Sequence, residues 1–300
     1  GLQGQVRVGL PSGYGQLVMA VWLIDFKRRY PGIVLDVVFE IRIEDLLRDE
    51  VDIAIRVIPE PPQNLVARAM GPVRYVACAS RDDAARHPLP EQEALFAALS
   101  RMGIGPGVQV VAYDSNGGAY AVRLWWMLKL YGHSTAAVLD GGFPKWQAEG
   151  RPTRAGVETN PPAAFTGTLN AEMIADEQDA ARAAEDPRGR LVDARAPERY
   201  RGETEPIDPV AGHIPGAINR FHGQNLDANG AMKPPEQLRA EFEQLLGDAD
   251  PQKTVFYCGS GVTSIHHLLA MESAGLPGGK IYVGSWSHWI RDPKRPVAKD

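Results

Sequence analysis

The chain has only two cysteines in 300 residues, Cys78 and Cys258. Two thiols in unlike surroundings do not make a disulfide framework, and they point to a reducing cytoplasm. Basic charge is also scarce. Lys and Arg number 32 against 37 Asp and Glu, a net charge of −5, so there is no cationic excess to offset the phosphates of a nucleic acid. No apolar run approaches the roughly 20 residues that span a bilayer, and no membrane partner is expected. The opening Gly-Leu-Gln-Gly-Gln-Val-Arg has neither the charged start nor the apolar core of a signal peptide. It also lacks Met, as a fragment or a processed chain would. What is present suits a globular protein: 44% hydrophobic and 23% charged residues, enough for two α/β domains.

Strand and helix patterns alternate along the chain, which predicts parallel α/β layers. Strands are expected at 6–10, 34–39, 51–57 and 73–79. Helices are expected at 17–30, stopped by Pro31-Gly32, and at 43–49. The pattern restarts near residue 91 with a helix at 91–102, a strand at 109–113, a helix at 119–131 and a strand at 137–139. The stretch 151–168, rich in Pro, Thr and Gly, reads as a linker. Beyond it come a helix at 171–185, a strand at 191–193, a polar loop at 195–217 and a helix at 235–246. A strand at 254–257, a helix at 264–274 and a strand at 280–283 complete the reading.

The second half contains a repeat. Val110-Val-Ala-Tyr-Asp114, a glycine turn, a helix, Val138-Leu-Asp-Gly-Gly142 and Trp146 form one copy. Val255-Phe-Tyr-Cys258, a glycine turn, a helix, Ile281-Tyr-Val-Gly284 and Trp289 form the other. In this register Asp114 stands where Cys258 stands, so one copy has a nucleophile and the other has none.

Cys258 is the candidate reactive group. It follows an apolar strand and precedes a helix, within Cys258-Gly-Ser-Gly-Val-Thr263. Gly259 and Gly261 permit a tight loop whose backbone N–H groups converge as an anion nest. The helix start adds its positive end, and Ser260 and Thr263 add hydroxyl donors. Such surroundings favour thiolate. The reading requires a thiol that is ionised near neutral pH and open to solvent. A cysteine phosphatase would need Arg six positions after the nucleophile to grip phosphate. That position holds Ser264, and the loop contains no Lys or Arg.

Val-Phe-Tyr-Cys258-Gly-Ser-Gly-Val-Thr-Ser264 resembles the active-site loop of two-domain rhodanese-type sulfurtransferases, more closely the 3-mercaptopyruvate type than the thiosulfate type. Leu191-Val-Asp-Ala-Arg-Ala-Pro-Glu-Arg-Tyr-Arg-Gly202, Gly212-His-Ile-Pro-Gly-Ala-Ile-Asn219 and Gly284-Ser-Trp-Ser-His-Trp289 match the same family. Val138-Leu-Asp-Gly-Gly142 with Trp146 matches its inactive first domain. The resemblance spans about 91–300. It implies sulfur transfer through a Cys258 persulfide, from 3-mercaptopyruvate or thiosulfate to cyanide or a thiol such as thioredoxin or a low-molecular-weight thiol, with no cofactor. It also implies Arg199 as the ligand of the substrate carboxylate, Arg201 as a weaker candidate and Arg195 as a loop support. A second substrate arginine of the family falls near Asp208, a departure. Gly259, Gly261, Val262 and Thr263 fall in the substrate-binding loop. Ser260 matches a serine that works in a relay with a histidine, for which His87 is the candidate. The relay aspartate has no match, since Val76 sits near its place.

Residues 5–82 resemble something else, the start of the effector-binding domain of LysR-type regulators. The carriers are Val6-Arg-Val-Gly-Leu-Pro-Ser-Gly-Tyr-Gly15, Phe26-Lys-Arg-Arg-Tyr-Pro-Gly32, Val51-Asp-Ile-Ala-Ile-Arg56 and Gly71-Pro-Val-Arg-Tyr-Val76. The expected organisation is a LysR-like α/β fragment at 1–82, a truncated inactive rhodanese-like domain at 83–150, the linker at 151–168 and a catalytic rhodanese domain at 169–300. Both fragments are parallel α/β and are able to complete one shared sheet. The alternative function is a ligand-binding regulatory fragment fused to an inactive rhodanese module, in which His87 is a loop residue and Ser12 binds a small anion. Glycines 9, 13 and 15 make no dinucleotide fingerprint. Cys78 reads as core, and Trp125 and Trp126 as packing residues. His266 and His267 occupy adjacent helix positions that face apart, and no metal is expected.

Overall fold

The computed structural model describes residues 4–10, 20–39, 53–54, 88–153 and 160–300. The predicted turn with Ser12, the helix at 43–49, the strand with Cys78, and His87 lie outside the described residues. The chain divides into two compact units, Gly1–Tyr75 and Val76–Asp300.

In the first unit, β1 (Gly4–Leu10), α1 (Ala20–Arg29), β2 (Ile33–Phe39) and β3 (Ile53–Ala54) build a parallel sheet of order β2-β1-β3. Val6 and Val8, two residues apart and so on one face of β1, meet Leu23, Leu35 and Val37. Helix α1 ends where Pro31-Gly32 turns the chain. There Lys27 Nζ caps the Pro31 and Ile33 carbonyls at 2.9 and 2.6 Å.

The second unit begins with α2 (Gln92–Arg101), β4 (Val110–Ala112), α3 (Ala121–Leu130), β5 (Ala136–Val138) and α4 (Gly142–Ala148). β4 and β5 pair in parallel. Among the described residues β4 and β5 form a two-stranded sheet. Beyond the linker come β6 (Ile174–Ala175), α5 (Glu177–Glu185), β7 (Arg190–Asp193), α6 (Pro197–Tyr200), β8 (Ile218–Asn219), α7 (Pro235–Leu246), β9 (Thr254–Tyr257), α8 (Ile265–Ser273), β10 (Lys280–Tyr282) and α9 (Ser285–Trp289). Their strands form a five-stranded sheet of order β6-β10-β9-β7-β8, parallel throughout.

Two predicted elements change. The helix expected at 171–185 is a short turn, then β6, then α5. Asp176 and Asp179 form a reciprocal capping box that fixes the helix start at Glu177, and Ile174 and Ala175 pair with β10 instead. The polar loop at 195–217 holds α6, which Pro197 opens at a position where no N–H is needed. The helix predicted at 235–246 stands as read. Leu238, Phe242 and Leu246, four residues apart, bury one face, and Gly247 ends it at φ 57°.

One core runs through both halves of the second unit, joining Leu99, Val122 and Trp126 to Leu238, Phe242, Phe256 and Met271. The linker is tied down on the first half. Ser100 takes the N–H of Ala163 on its carbonyl and that of Phe165 on its hydroxyl, both at 2.9 Å. The Phe165 ring meets Phe96 edge-on with centroids 5.0 Å apart.

Candidate active site

Strand β9 lies in the middle of the sheet and all four of its residues are buried. The chain leaving it therefore emerges at the carboxyl edge of a parallel sheet, where α/β proteins place their ligands. Cys258 is the first residue out. The β10–α9 connection clamps it: Cys258 N–H donates to Ser285 Oγ at 3.2 Å, and the Cys258 and Gly259 carbonyls accept from Trp286 and Ser287 N–H at 3.0 and 2.9 Å. Ser285 adopts φ 52°, left-handed for a residue with a Cβ, and its hydroxyl also donates to the Tyr282 carbonyl at 2.8 Å.

The loop then wraps the sulfur. Gly261 has φ +70°, and a Cβ there would sit 2.3 Å from the Val283 carbonyl oxygen, so only glycine fits. Burial pushes the Cys258 thiol up, but four donors outweigh it: the Thr263 hydroxyl, the backbone N–H groups of Ser260 and Ser264, and the Ser264 hydroxyl. The pKa falls below its ordinary value. The Ser264 hydroxyl is fully buried beside the sulfur and lowers its pKa, though it forms no hydrogen bond of good geometry with any neighbour. Ser260 contributes its backbone N–H to the sulfur, and the Val262 carbonyl accepts the Ile265 N–H at 3.3 Å where α8 begins.

One expectation is corrected. The thiol was expected to be open to solvent, and Cys258 is 2% exposed. The cause is the same nest: a loop tight enough to aim several donors at one atom also covers it, so the sulfur-transfer reading stands on the donor set and the family resemblance, not on an open thiol.

The arginines separate. Arg195 is buried against Asp193, with Nη2 to Oδ2 at 2.6 Å. It also donates to the Gly212 carbonyl at 2.7 Å and to Glu205 at 3.2 Å, and lies 4.8 Å from the Trp286 ring centroid. Burial works against its charge, but Asp193 raises its pKa above the usual value. It supports the loop. Arg199 leaves β7 at the same sheet edge as Cys258, because β7 and β9 are parallel neighbours. Its Nε and Nη2 grip Glu205 at 3.1 and 2.6 Å, and Nη2 reaches Asp208 at 3.3 Å. The position where the family carries a second arginine thus holds a carboxylate that pairs with Arg199. Arg201 pairs with Glu203 at 2.8 Å in an exposed position.

His266 and His267 do not face apart as expected. Both Nδ1 atoms accept from Asn225 Nδ2, at 3.1 and 3.0 Å, while their Nε2 atoms donate to the Gly117 and Arg220 carbonyls. Burial lowers the pKa of both, that of His266 to about 4. Trp125 and Trp126 are buried in the core.

Sequence reasoning missed Arg123, Ser264 and Ser285. Arg123 Nη1 donates to the Gly261 carbonyl at 2.5 Å. Burial lowers its pKa to about 10, and the Cys258 charge acts to raise it, so Arg123 remains a cation at neutral pH. The signal for Ser264 was present: it stands where a phosphatase needs arginine.

A cysteine in an anion nest at the carboxyl edge of a parallel α/β sheet, with no arginine in the loop, is the arrangement expected of the rhodanese-like class. The rhodanese-like domain model matches residues 70–149 and 176–292, and the LysR substrate binding domain model matches residues 1–102. The chain belongs to the rhodanese-like family of sulfurtransferases. A probable 3-mercaptopyruvate sulfurtransferase of Pseudomonas aeruginosa is 44% identical over 214 residues, 71% of this chain and 75% of the relative. The human 3-mercaptopyruvate sulfurtransferase is 37% identical over 216 residues, 71% of this chain and 72% of the relative. The crystal structure of SseA from Escherichia coli superposes with a TM-score of 0.62 at 22% identity, covering 94% of this chain and 92% of that one. That likeness is one of fold. Among the described residues no helix is long and apolar enough to cross a membrane.

Proposed function

We propose that the chain moves a sulfur atom from 3-mercaptopyruvate to a thiol acceptor through a persulfide on Cys258. The supporting observation is the set of donors around a sulfur whose pKa they lower despite burial. The thiolate attacks the sulfur of the donor. The carbon–sulfur bond breaks, its electron pair leaves as the enolate of pyruvate, and that enolate takes a proton from water to give pyruvate. Cys258 is left as –S–SH. A thiolate acceptor, thioredoxin or a small thiol of the cytoplasm, then attacks the outer sulfur and returns Cys258 as thiolate. A persulfide extends the side chain by about 2 Å, which brings the atom to be transferred out from the base of the loop.

The donor set favours an α-keto acid over thiosulfate. The loop presents amides and hydroxyls and no Lys or Arg, a surface suited to a thiolate and a carbonyl but weak for a dianion. Arg199 is the proposed ligand of the donor carboxylate, through the Nη1 edge that Glu205 and Asp208 leave uncovered. Ser260 and Thr263 steady the leaving enolate oxygen. Incubating the protein with 3-mercaptopyruvate should add the mass of one sulfur atom, removable by a thiol and absent in Cys258→Ala. An unmodified wild-type protein at saturating donor would sink the proposal.

A further inference from the structure

The two repeat copies brace each other's loops, and the glycines that are braced are equivalent in sequence. Gly117 stands three residues after Asp114, and Gly261 three residues after Cys258. The Gly117 carbonyl accepts from His266 Nε2 at 3.0 Å, on the helix that follows the Cys258 loop. The Gly261 carbonyl accepts from Arg123 Nη1 at 2.5 Å, on the helix that follows the Asp114 loop. Arg123 Nη2 donates in addition to the Pro88 carbonyl at 3.0 Å.

The two braces differ in charge, and the difference follows the anion each loop holds. Asp114 is supplied by four backbone N–H groups within its own copy. Its brace, His266, is held neutral by burial. Cys258 has fewer amides, and its brace is a cation whose charge and the sulfur's charge favour each other. A peptide carbonyl drawn outward turns its plane, so it fixes where the neighbouring amides of a nest point. Val283 already confines Gly261 from one side, since no Cβ fits there. Arg123 holds it from another.

We propose that Arg123, supplied by the copy that has no nucleophile, is a positioning residue of the sulfur site. Its guanidinium keeps the Gly261 carbonyl turned away so that the loop amides stay aimed at Cys258, and its charge stabilises the thiolate. The effect on turnover rests on the sulfur-transfer reading; the effect on the thiol does not. The planar fork matters, because one group must reach two carbonyls from fixed directions, which an ammonium does less well. The inactive copy is then a working part of the active one.

The test is the rate of Cys258 alkylation by iodoacetamide against pH, alongside kcat and KM for 3-mercaptopyruvate, in the full chain and three variants. Arg123→Met should move the alkylation midpoint up by about one pH unit and lower kcat by about ten-fold to a hundred-fold with little change in KM. Arg123→Lys should keep the midpoint near wild type and still lose kcat, since the charge stays but the fork is gone. His266→Gln, which loosens the opposite brace, should lower Tm and leave the midpoint in place. An Arg123→Met profile that overlays wild type overturns the proposal. So does a His266→Gln midpoint that moves as far, since any loosening would then suffice. If Arg123→Met does not fold, Arg123→Lys decides, and wild-type kcat in that variant overturns the role of the fork. A wild-type protein that takes no sulfur from mercaptopyruvate refutes the sulfur-transfer reading alone; the alkylation profiles still judge Arg123.

Discussion

The Asp114 loop and the Cys258 loop have the same frame and hold their anions differently. In both, the following helix begins seven residues on, at Ala121 and at Ile265. In both, the carbonyl of the central residue is clamped from the helix start that follows the next strand, by Phe143 N–H at 2.9 Å and by Trp286 N–H at 3.0 Å. Asp114 spreads its charge over four backbone N–H groups, each at 2.8 Å. Burial pushes its pKa up, but those bonds win and hold it below the usual value. Cys258 meets two amides and two hydroxyls, one of which forms no hydrogen bond of good geometry. The left-handed position 27 residues on is Gly141 in one copy and Ser285 in the other, where the serine accepts strain and uses its hydroxyl to hold Cys258 N–H. The lesson is that a nest which satisfies its anion completely is a structural element, and one that leaves donors in reserve is a site.

The sharpest way to break this comparison is at the paired glycines. Gly261→Ala drives a Cβ against the Val283 backbone oxygen, a group that cannot step aside, so turnover should fall more than about a hundred-fold as the amides lose their aim. Initial-rate assays check this. Acid should act next. His266 is neutral in the fold, with its pKa lowered to about 4 by burial against 6.5 when exposed. A base with a lowered folded pKa stabilises fully above pH 6.5 and loses that contribution as pH falls toward 4, by up to about 3 kcal/mol at the low end. Protonated Nδ1 would also confront the Asn225 Nδ2 hydrogens. Thermal melts between pH 7 and pH 4 should show the decline, and His266→Gln should flatten that window. Asp114→Asn, which places an amide among four donors, should cost about 2 kcal/mol and leave Cys258 alkylation unchanged; urea titration measures the first and iodoacetamide the second. The smallest effect should come from Gly117→Ala. Its Cβ crowds only the flexible tip of Leu226 and makes ordinary contact with the Gly230 carbonyl at 3.6 Å, so the backbone preference dominates, about 1 kcal/mol. A Gly117→Ala defect in turnover equal to that of Gly261→Ala would remove the asymmetry.

Much of this was legible in local pattern. The strand into Cys258, the glycines of its loop and the repeat register all follow from residues close in sequence, because a βα turn is a local object. Helix α7 was readable because Pro235 and Gly247 mark its ends. The capping box at Asp176 was also written in the chain, but an acidic, alanine-rich stretch reads as continuous helix until β10 is known to claim Ile174. Arg123 was hidden for a different reason. Its role depends on the packing of α3 beside the Cys258 loop, 138 residues away, and no spacing rule carries that. Arg199 was found by its motif, while its engagement by Glu205 and Asp208 needed the folded loop.

The depth of Cys258 has a consequence for what happens between half-reactions. Under the proposed transfer, a sulfur loaded on a residue only 2% exposed is reached by an acceptor that presents its thiol on a slender or protruding group. Access to the sulfur, as much as its reactivity, would then select the acceptor.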